Sequence, residues 1–348
     1  MSSKIRVLVV DDSAFVRKVV TQMLLRSPEI DVVGAARDGI EALELVERHN
    51  PDVITLDLVM PRMNGVEFIR AQNERHPVPT VICSIANQSG EMALEALEAG
   101  AFDFVQKPTA LATDRVYEIA DELVEKVLSA SKSGHRVTPL SSQAIVPRVA
   151  RPSDGARRPR TDVVVLGIST GGPQALRRMI PLLPADFPVP IAMVLHMPVG
   201  YTAMYAQRLD AVSALSVAEV AEGDVLKPGM VWLAPAGQHL TFVRDVSGAV
   251  RAHLDLRPSD TQHRPSVDVL FRSAADVFGP RVLGVVMTGM GSDGLLGAAH
   301  IKAQGGRIAT EAESSCVVYG MPRVVDEAAL SDRSATLDEM ADAITELI

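Results

Sequence analysis

VVVLGISTGGP, Val163 to Pro173, carries an α/β signature in eleven residues. An apolar run from Val163 to Leu166 enters Gly167-Ile168-Ser169-Thr170-Gly171-Gly172, and Pro173 then opens a helix-like segment. The pattern reads as a buried strand, a tight turn and a helix, which is the repeating unit of an α/β fold. The turn also fits G-x-S-x-G, in which flanking glycines let the backbone fold back sharply while the Ser169 hydroxyl stays exposed beside backbone N–H groups. A plain structural turn or an anion-binding loop fits the same residues. Pro173 and Gln174 stand where a phosphate-binding P-loop needs Lys and Ser or Thr, and glycines at 167, 171 and 172 have the wrong spacing for a dinucleotide fingerprint. Partners elsewhere in the chain must decide between the readings that are left.

Around this stretch lie 348 residues, 47% hydrophobic and 22% charged, enough for two domains with real cores. A net charge of -9 speaks against nucleic acid as a partner, since phosphate neutralisation needs a concentrated basic face. Cys83 and Cys316 are far apart and suggest neither a disulfide framework nor a zinc site, which fits a reducing, cytoplasmic location. The N-terminal apolar stretch, Ile5 to Val10, meets Asp11 and Asp12 too soon for a signal peptide. Phe187 to Gln207 carries no Asp, Glu, Lys or Arg, but Pro188, Pro190, Pro198 and Gly200 would break a spanning helix, so it reads as a strand, a loop and a new helix, with no membrane insertion. Residues 129–161 hold four prolines and seven Lys or Arg against a single acidic residue, Asp154, and read as a flexible basic linker between domains at 1–128 and 162–348.

Before the linker, strand-like runs at Val7–Val10, Val32–Val33, Val53–Leu56, Thr80–Cys83 and Phe102–Val105 alternate with helical patterns. Five βα units predict a doubly wound, five-stranded parallel sheet with its site at the carboxyl ends of the strands. Asp11 and Asp12 end the first strand, Asp57 the third and Ser84 the fourth, and Lys107 follows the fifth. Three carboxylates at one edge repel each other unless a hard cation neutralises them, and the set suits Mg2+. Asp57 could then accept a phosphoryl group whose oxygens are bound by Lys107 and Ser84. Helix capping would explain one or two of these residues singly but not the set.

VLVVDDS at 7 to 13, LDLVMPRMNG at 56 to 65 and Lys107-Pro108 resemble the response-regulator receiver family over roughly residues 4 to 128. The resemblance implies a flavodoxin-like fold and phosphorylation of Asp57 by a CheA-type histidine kinase. It implies Mg2+ bound through Asp12, Asp57 and the backbone of Val59, with Asp11 assisting, and Ser84 and Phe104 as switch residues. Phe104 lacks the hydroxyl that many receivers carry there as Tyr.

The Ser169 turn begins a second α/β pattern after the linker, so its base should lie at another strand exit. Of eight histidines, His49 and His76 fall in the first domain and His135 in the linker. His196 directly follows the strand-like run Pro190 to Leu195, on the same sheet edge as Ser169. His300 sits in a helical pattern and His239 and His253 in β-like runs, positions typical of packing or surface histidines. Val282 to Met287 reads as another buried strand, and the turn Thr288-Gly289-Met290-Gly291-Ser292-Asp293-Gly294 follows it. Asp293 alone reads as a helix N-cap. With Ser169 and His196 at matching strand ends, it also completes a Ser-His-Asp set.

That order differs from the Ser, Asp, His order of α/β-hydrolases. GISTGGP, LHMP, HRPSVDVLF at 263 to 271, TGMGSDG and YGMPR at 319 to 323 instead resemble the CheB-type methylesterase family, in which a receiver precedes the catalytic domain. Ile168 stands where that family more often has Ala. The resemblance implies a doubly wound domain with a mainly parallel sheet and a β-hairpin-rich insertion. It implies hydrolysis of glutamate methyl esters on chemoreceptors, and deamidation of receptor glutamines, with no metal or organic cofactor for the ester step. Ser169 would be the nucleophile, His196 the base and Asp293 its orienter, with backbone N–H groups at Met290 and Thr170 binding the oxyanion. A monomer is expected. A catalytically silent adaptor that docks receptors is the alternative, and an acidic, glycine-rich C-terminal half argues against a DNA-binding output. The pattern of His263, Arg264 and residues 319–323 has no physical account at this level.

Overall fold

The computed structural model describes residues 4–84, 86–107, 115–133 and 161–348. The chain falls into two compact units, Met1–Ser142 and Gln143–Ile348. Most of the linker expected at 129–161 lies outside the described residues, as does Pro108.

In the first unit, β1 (Ile5–Val10), β2 (Ile30–Ala36), β3 (Val53–Leu56), β4 (Thr80–Ser84) and β5 (Asp103–Gln106) form a parallel sheet of order β2-β1-β3-β4-β5. Helices α1 (Ala14–Leu24), α2 (Gly39–His49), α3 (Gly65–Arg75), α4 (Ala86–Glu98) and α5 (Arg115–Lys132) connect or follow these strands. Their starts are locally encoded. Asp38 accepts from the N–H groups of Ile40 and Glu41, and Asn64 with Glu67 forms a reciprocal capping box. The central strand β3 is buried throughout, as a parallel sheet covered on both faces requires. Helix α5 continues to Lys132, four residues past the expected end of the domain at 128.

The second unit is built on a seven-stranded sheet of order β14-β13-β12-β6-β7-β9-β8. Its strands are β6 (Val163–Ile168), β7 (Ile191–Leu195), β8 (Ser216–Glu219), β9 (Met230–Leu233), β12 (Val282–Val286), β13 (Arg307–Glu311) and β14 (Arg333–Ala335), and every pairing is parallel. The β-hairpin-rich insertion that the resemblance implies comes down to a single hairpin among the described residues. Strands β8 and β9 join the main sheet, and only β10 (His239–Arg244) and β11 (Val250–Asp255) form a separate antiparallel hairpin. Helices α6 (Gly172–Met179), α7 (Thr202–Asp210), α8 (Val267–Phe278), α9 (Leu295–Ala303), α10 (Met321–Glu327) and α11 (Met340–Leu347) complete the unit. The uncharged segment 187–207 resolves into β7, a loop and the start of α7, and among the described residues no helix is long and apolar enough to cross a membrane.

Strands β6, β7 and β12 are buried at every position. They are neighbours, with β6 in the middle, and the chain proceeds outward from β6 in opposite directions through β7 and β12. A crevice beyond the carboxyl ends of the strands is expected where the order reverses in this way.

Candidate functional site

That crevice receives Ser169 after β6, His196 after β7 and the turn bearing Asp293 after β12. Backbone bonds carry the strand register past the strand ends. The N–H of Ser169 donates to the Thr288 carbonyl at 2.9 Å, that of His196 to Ile168 at 3.1 Å and that of Met287 to Gly167 at 2.9 Å. The three predicted residues therefore leave adjacent strands at the same level.

The Ser169 turn depends on glycine in two places. Gly171 has φ +80, and a Cβ there would lie 2.6 Å from the side chain of Val317. Gly289 lies against the nucleophile candidate from the next loop: a Cβ on it would stand 2.8 Å from Ser169 Cβ and 3.2 Å from Ser169 N. Backbone thus approaches backbone where any side chain would intrude. Met290 follows directly, which puts both segments expected to offer oxyanion donors, at Thr170 and Met290, beside Ser169.

His196 Nε2 lies 2.9 Å from Asp293 Oδ2. Asp293 does not cap α9, the helix it precedes, whose N-cap residue is Gly294. It caps α8 instead, accepting from the N–H groups of Val267 at 2.8 Å and Asp268 at 2.9 Å and from the Ser266 hydroxyl at 2.9 Å. Burial opposes the charge on Asp293. The bond to His196 and the two backbone donors outweigh burial and hold the carboxyl down at about 2. Asp268 returns the contact by accepting from Gly294 at 3.0 Å and Gly297 at 2.6 Å at the start of α9, so the two helices cap each other. Burial raises the Asp268 carboxyl, and the charge of Asp293 adds to the rise against those two donors.

An ionised Asp293 accepts the proton on Nε2 and leaves the lone pair of His196 on Nδ1. Nδ1 is buried and has no hydrogen-bond partner, and no hydrogen bond joins it to Ser169 Oγ. Leaving such an atom unsatisfied costs about 1–3 kcal/mol, an expense that is tolerated where the atom is kept for chemistry.

Two motifs without a sequence-level account acquire one. His263 stacks on His196, with ring centroids 4.0 Å apart and planes 22° from parallel. Residues 318–321 clamp the turn after β12: Gly289 donates to Val318 at 3.0 Å and accepts from Gly320 at 3.1 Å and Met321 at 2.9 Å. Thr288 ties the same turn to Ser169's neighbour through its hydroxyl, 2.9 Å from the Thr170 carbonyl. Glu311, fully buried, accepts from Thr288 N at 3.0 Å, and burial raises its carboxyl. Ser266 at the N-cap of α8 and Asp268 in its first turn both meet the Asp293 loop, a long-range contact that spacing alone does not show. The three other histidines of this unit have partners of their own: His239 is fully buried and bonds to Ser266 N and the Pro258 carbonyl, while His253 and His300 pair with Glu222 and Asp276.

In the first unit the expected residues also gather at one strand edge. Ligand oxygens of Asp11, Asp12 and Asp57 lie within 4.8 Å of one another. Lys107 Nζ pairs with Asp11 and lies 3.0 Å from Asp57 Oδ1, and its backbone N–H donates to the Ser84 carbonyl at 2.9 Å. Burial raises the Asp57 carboxyl; Lys107 opposes the rise and Asp11 adds to it. Burial likewise opposes the Lys107 charge, but Asp57 and Asp11 outweigh it and raise the ammonium. Ser13, not Asp12, caps α1. Ser84 and Phe104 are buried, with Lys126 Nζ 5.8 Å from the Phe104 ring centroid, and Val59 is exposed.

Residues 7–116 match the response regulator receiver domain, and residues 164–344 match CheB methylesterase. A protein of Myxococcus xanthus named protein-glutamate methylesterase/protein-glutamine glutaminase 5 is 51% identical over 97% of this chain and 96% of its own length. One of Geobacillus kaustophilus, named protein-glutamate methylesterase/protein-glutamine glutaminase, is 44% identical over 99% of both. The crystal structure of the Thermotoga maritima CheB methylesterase catalytic domain superposes with a TM-score of 0.53 at 39% identity, covering 54% of this chain and 99% of that one. With relatives matched over nearly their whole length and both domain matches in the order expected, the chain belongs to the CheB methylesterase family.

Proposed function

We propose that the chain hydrolyses glutamate methyl esters on chemoreceptors, with Ser169 as nucleophile, His196 as general base and Asp293 as its orienting carboxylate. The observation that carries this reading is the 2.9 Å bond from His196 Nε2 to an ionised Asp293, formed between the two strands that flank the Ser169 strand. Ser169 Oγ attacks the ester carbonyl carbon while its proton passes to His196 Nδ1. Backbone N–H groups of Thr170 and Met290 bind the oxyanion, each well-placed donor contributing about 3 kcal/mol. The intermediate collapses and methoxide departs with the Nδ1 proton as methanol. Water, deprotonated by the same nitrogen, then cleaves the acyl-serine to give the glutamate carboxylate and the free hydroxyl. A receptor glutamine follows the same path with ammonia as leaving group. The contact still to form, from Ser169 Oγ to Nδ1, is of the kind that often tightens only with substrate in place.

The same reading assigns Asp57 as phosphoacceptor for a CheA-type kinase. Three clustered carboxylates against one lysine leave negative charge suited to a divalent cation, so the residues fit Mg2+. Asp12, Asp57 and the Val59 carbonyl would hold it, with Asp11 assisting. The ion would offset the charge of the transferred group. Lys107 and Ser84 take the phosphoryl oxygens, and Phe104 shifts with them as the switch. On this reading the chain acts in the cytoplasm as a monomer.

A fluorophosphonate probe distinguishes the esterase from a silent adaptor. Covalent labelling of the wild type at Ser169, absent in Ser169→Ala, is expected; a wild type that takes no label would contradict the reading.

A further inference from the structure

We infer that His263 is a positioning residue for the reaction, holding the His196 ring in the plane from which Nδ1 meets Ser169. The inference rests on the esterase reading above and adds to it a residue outside the three at the strand ends.

The His196 ring has one hydrogen bond, at Nε2. A single bond at the ring's outer edge leaves the torsion about Cβ–Cγ soft, because that torsion has broad wells. Rotation about it displaces Nδ1 further than Nε2, because Nδ1 lies further from the axis, so it would misdirect Nδ1 before the Asp293 bond breaks. The His263 ring, 4.0 Å away and nearly parallel, covers one face of His196 and blocks that rotation. It also keeps water from that face, consistent with the burial of Nδ1.

The stack is not an incidental contact of a loose loop. The Arg264 carbonyl accepts from Gly237 N at 2.9 Å, and Ser266 N donates to Nδ1 of the fully buried His239 at 3.2 Å. Two residues further on, the same segment begins α8 and supplies Ser266 Oγ, Val267 N and Asp268 N to Asp293. One run of six residues, His263 to Asp268, therefore fixes the base twice, on the ring face directly and on the ring edge through Asp293. The two contacts constrain different motions, so neither substitutes for the other.

The test measures kcat and KM for methanol release from methylated receptor by the full chain, with melting temperatures as a check on folding. His263→Ala is expected to lower kcat roughly 10- to 100-fold, the scale of a misplaced reacting group, with KM within about twofold. His263→Phe keeps a flat ring on His196 without its nitrogens and is expected to stay within about threefold of wild-type kcat. A wild-type kcat in His263→Ala would overturn the inference. So would equal losses in the Ala and Phe variants, which would assign the role to the imidazole nitrogens instead of the ring face. Should His263→Ala not fold, His263→Gln removes the ring while keeping polarity, and a near-wild-type kcat there overturns the inference equally. Ser169→Ala separates the two levels. If it still turns over, the esterase reading itself fails; if it is dead while His263→Ala is unimpaired, only the stacking inference fails.

Discussion

Asp57 and Asp293 stand at the carboxyl edges of two parallel sheets, one in each unit, yet their surroundings push them in opposite directions. Asp57 is buried beside Asp11 and Asp12 with one lysine to share, and its carboxyl is raised. Asp293 is also buried, but it receives two backbone N–H groups at a helix start, a hydroxyl and an imidazole, and its carboxyl is held at about 2. The same fold edge therefore yields an acid crowded by other carboxylates in one unit and a fixed anion in the other. Donor supply, not burial, makes the difference.

The comparison breaks most sharply at Asp293. An amide in Asp293→Asn offers its own N–H to Nε2 and drives the ring proton onto Nδ1, where it blocks the base. Methanol release should fall about 10⁴-fold; a loss under tenfold would mean that the fixed anion is not what orients His196. In the first unit the corresponding lever is the cation. EDTA should abolish phosphoryl incorporation from a small-molecule phosphodonor at Asp57 while leaving basal ester hydrolysis within about twofold, since only the crowded site is read as needing charge neutralisation. Incorporation that survives chelation would contradict that reading. Phosphodonor should raise the esterase rate several-fold in the wild type and not in Asp57→Asn, and an equal response in both would remove Asp57 from the regulation.

The smallest effect is on stability. The folded Asp293 carboxyl lies below its ordinary value of 3.8, so the stabilisation it brings is complete above about pH 4 and is lost as pH falls through about 2. The difference in unfolding free energy between wild type and Asp293→Asn, about 2 kcal/mol at neutral pH, should shrink across that window. A difference independent of pH, followed by urea unfolding, would contradict the assigned donor set.

Much of this contrast was legible before the structure. Buried parallel strands read as unbroken apolar runs, so Val163–Leu166, Pro190–Leu195 and Val282–Met287 announced three strand exits, and Ser169, His196 and Asp293 followed from their positions there. What was not legible is long-range. Asp293 precedes α9 and reads as its cap, but α8, more than twenty residues earlier, takes it. His263 lies in a loop with no periodicity, so nothing local signals that its ring meets His196. That Nε2 and not Nδ1 faces Asp293 depends on ring orientation, which spacing does not encode. The division of 215–255 between the main sheet and one hairpin likewise depends on pairing partners far along the chain.

The most direct measurement is methanol release from methylated receptor by purified wild-type and Ser169→Ala chains under the same phosphodonor. The wild type should release methanol at a steady rate, with Ser169→Ala lower by about 10⁶-fold, down to the assay background; release by Ser169→Ala at a comparable rate would contradict the assignment of Ser169 as nucleophile.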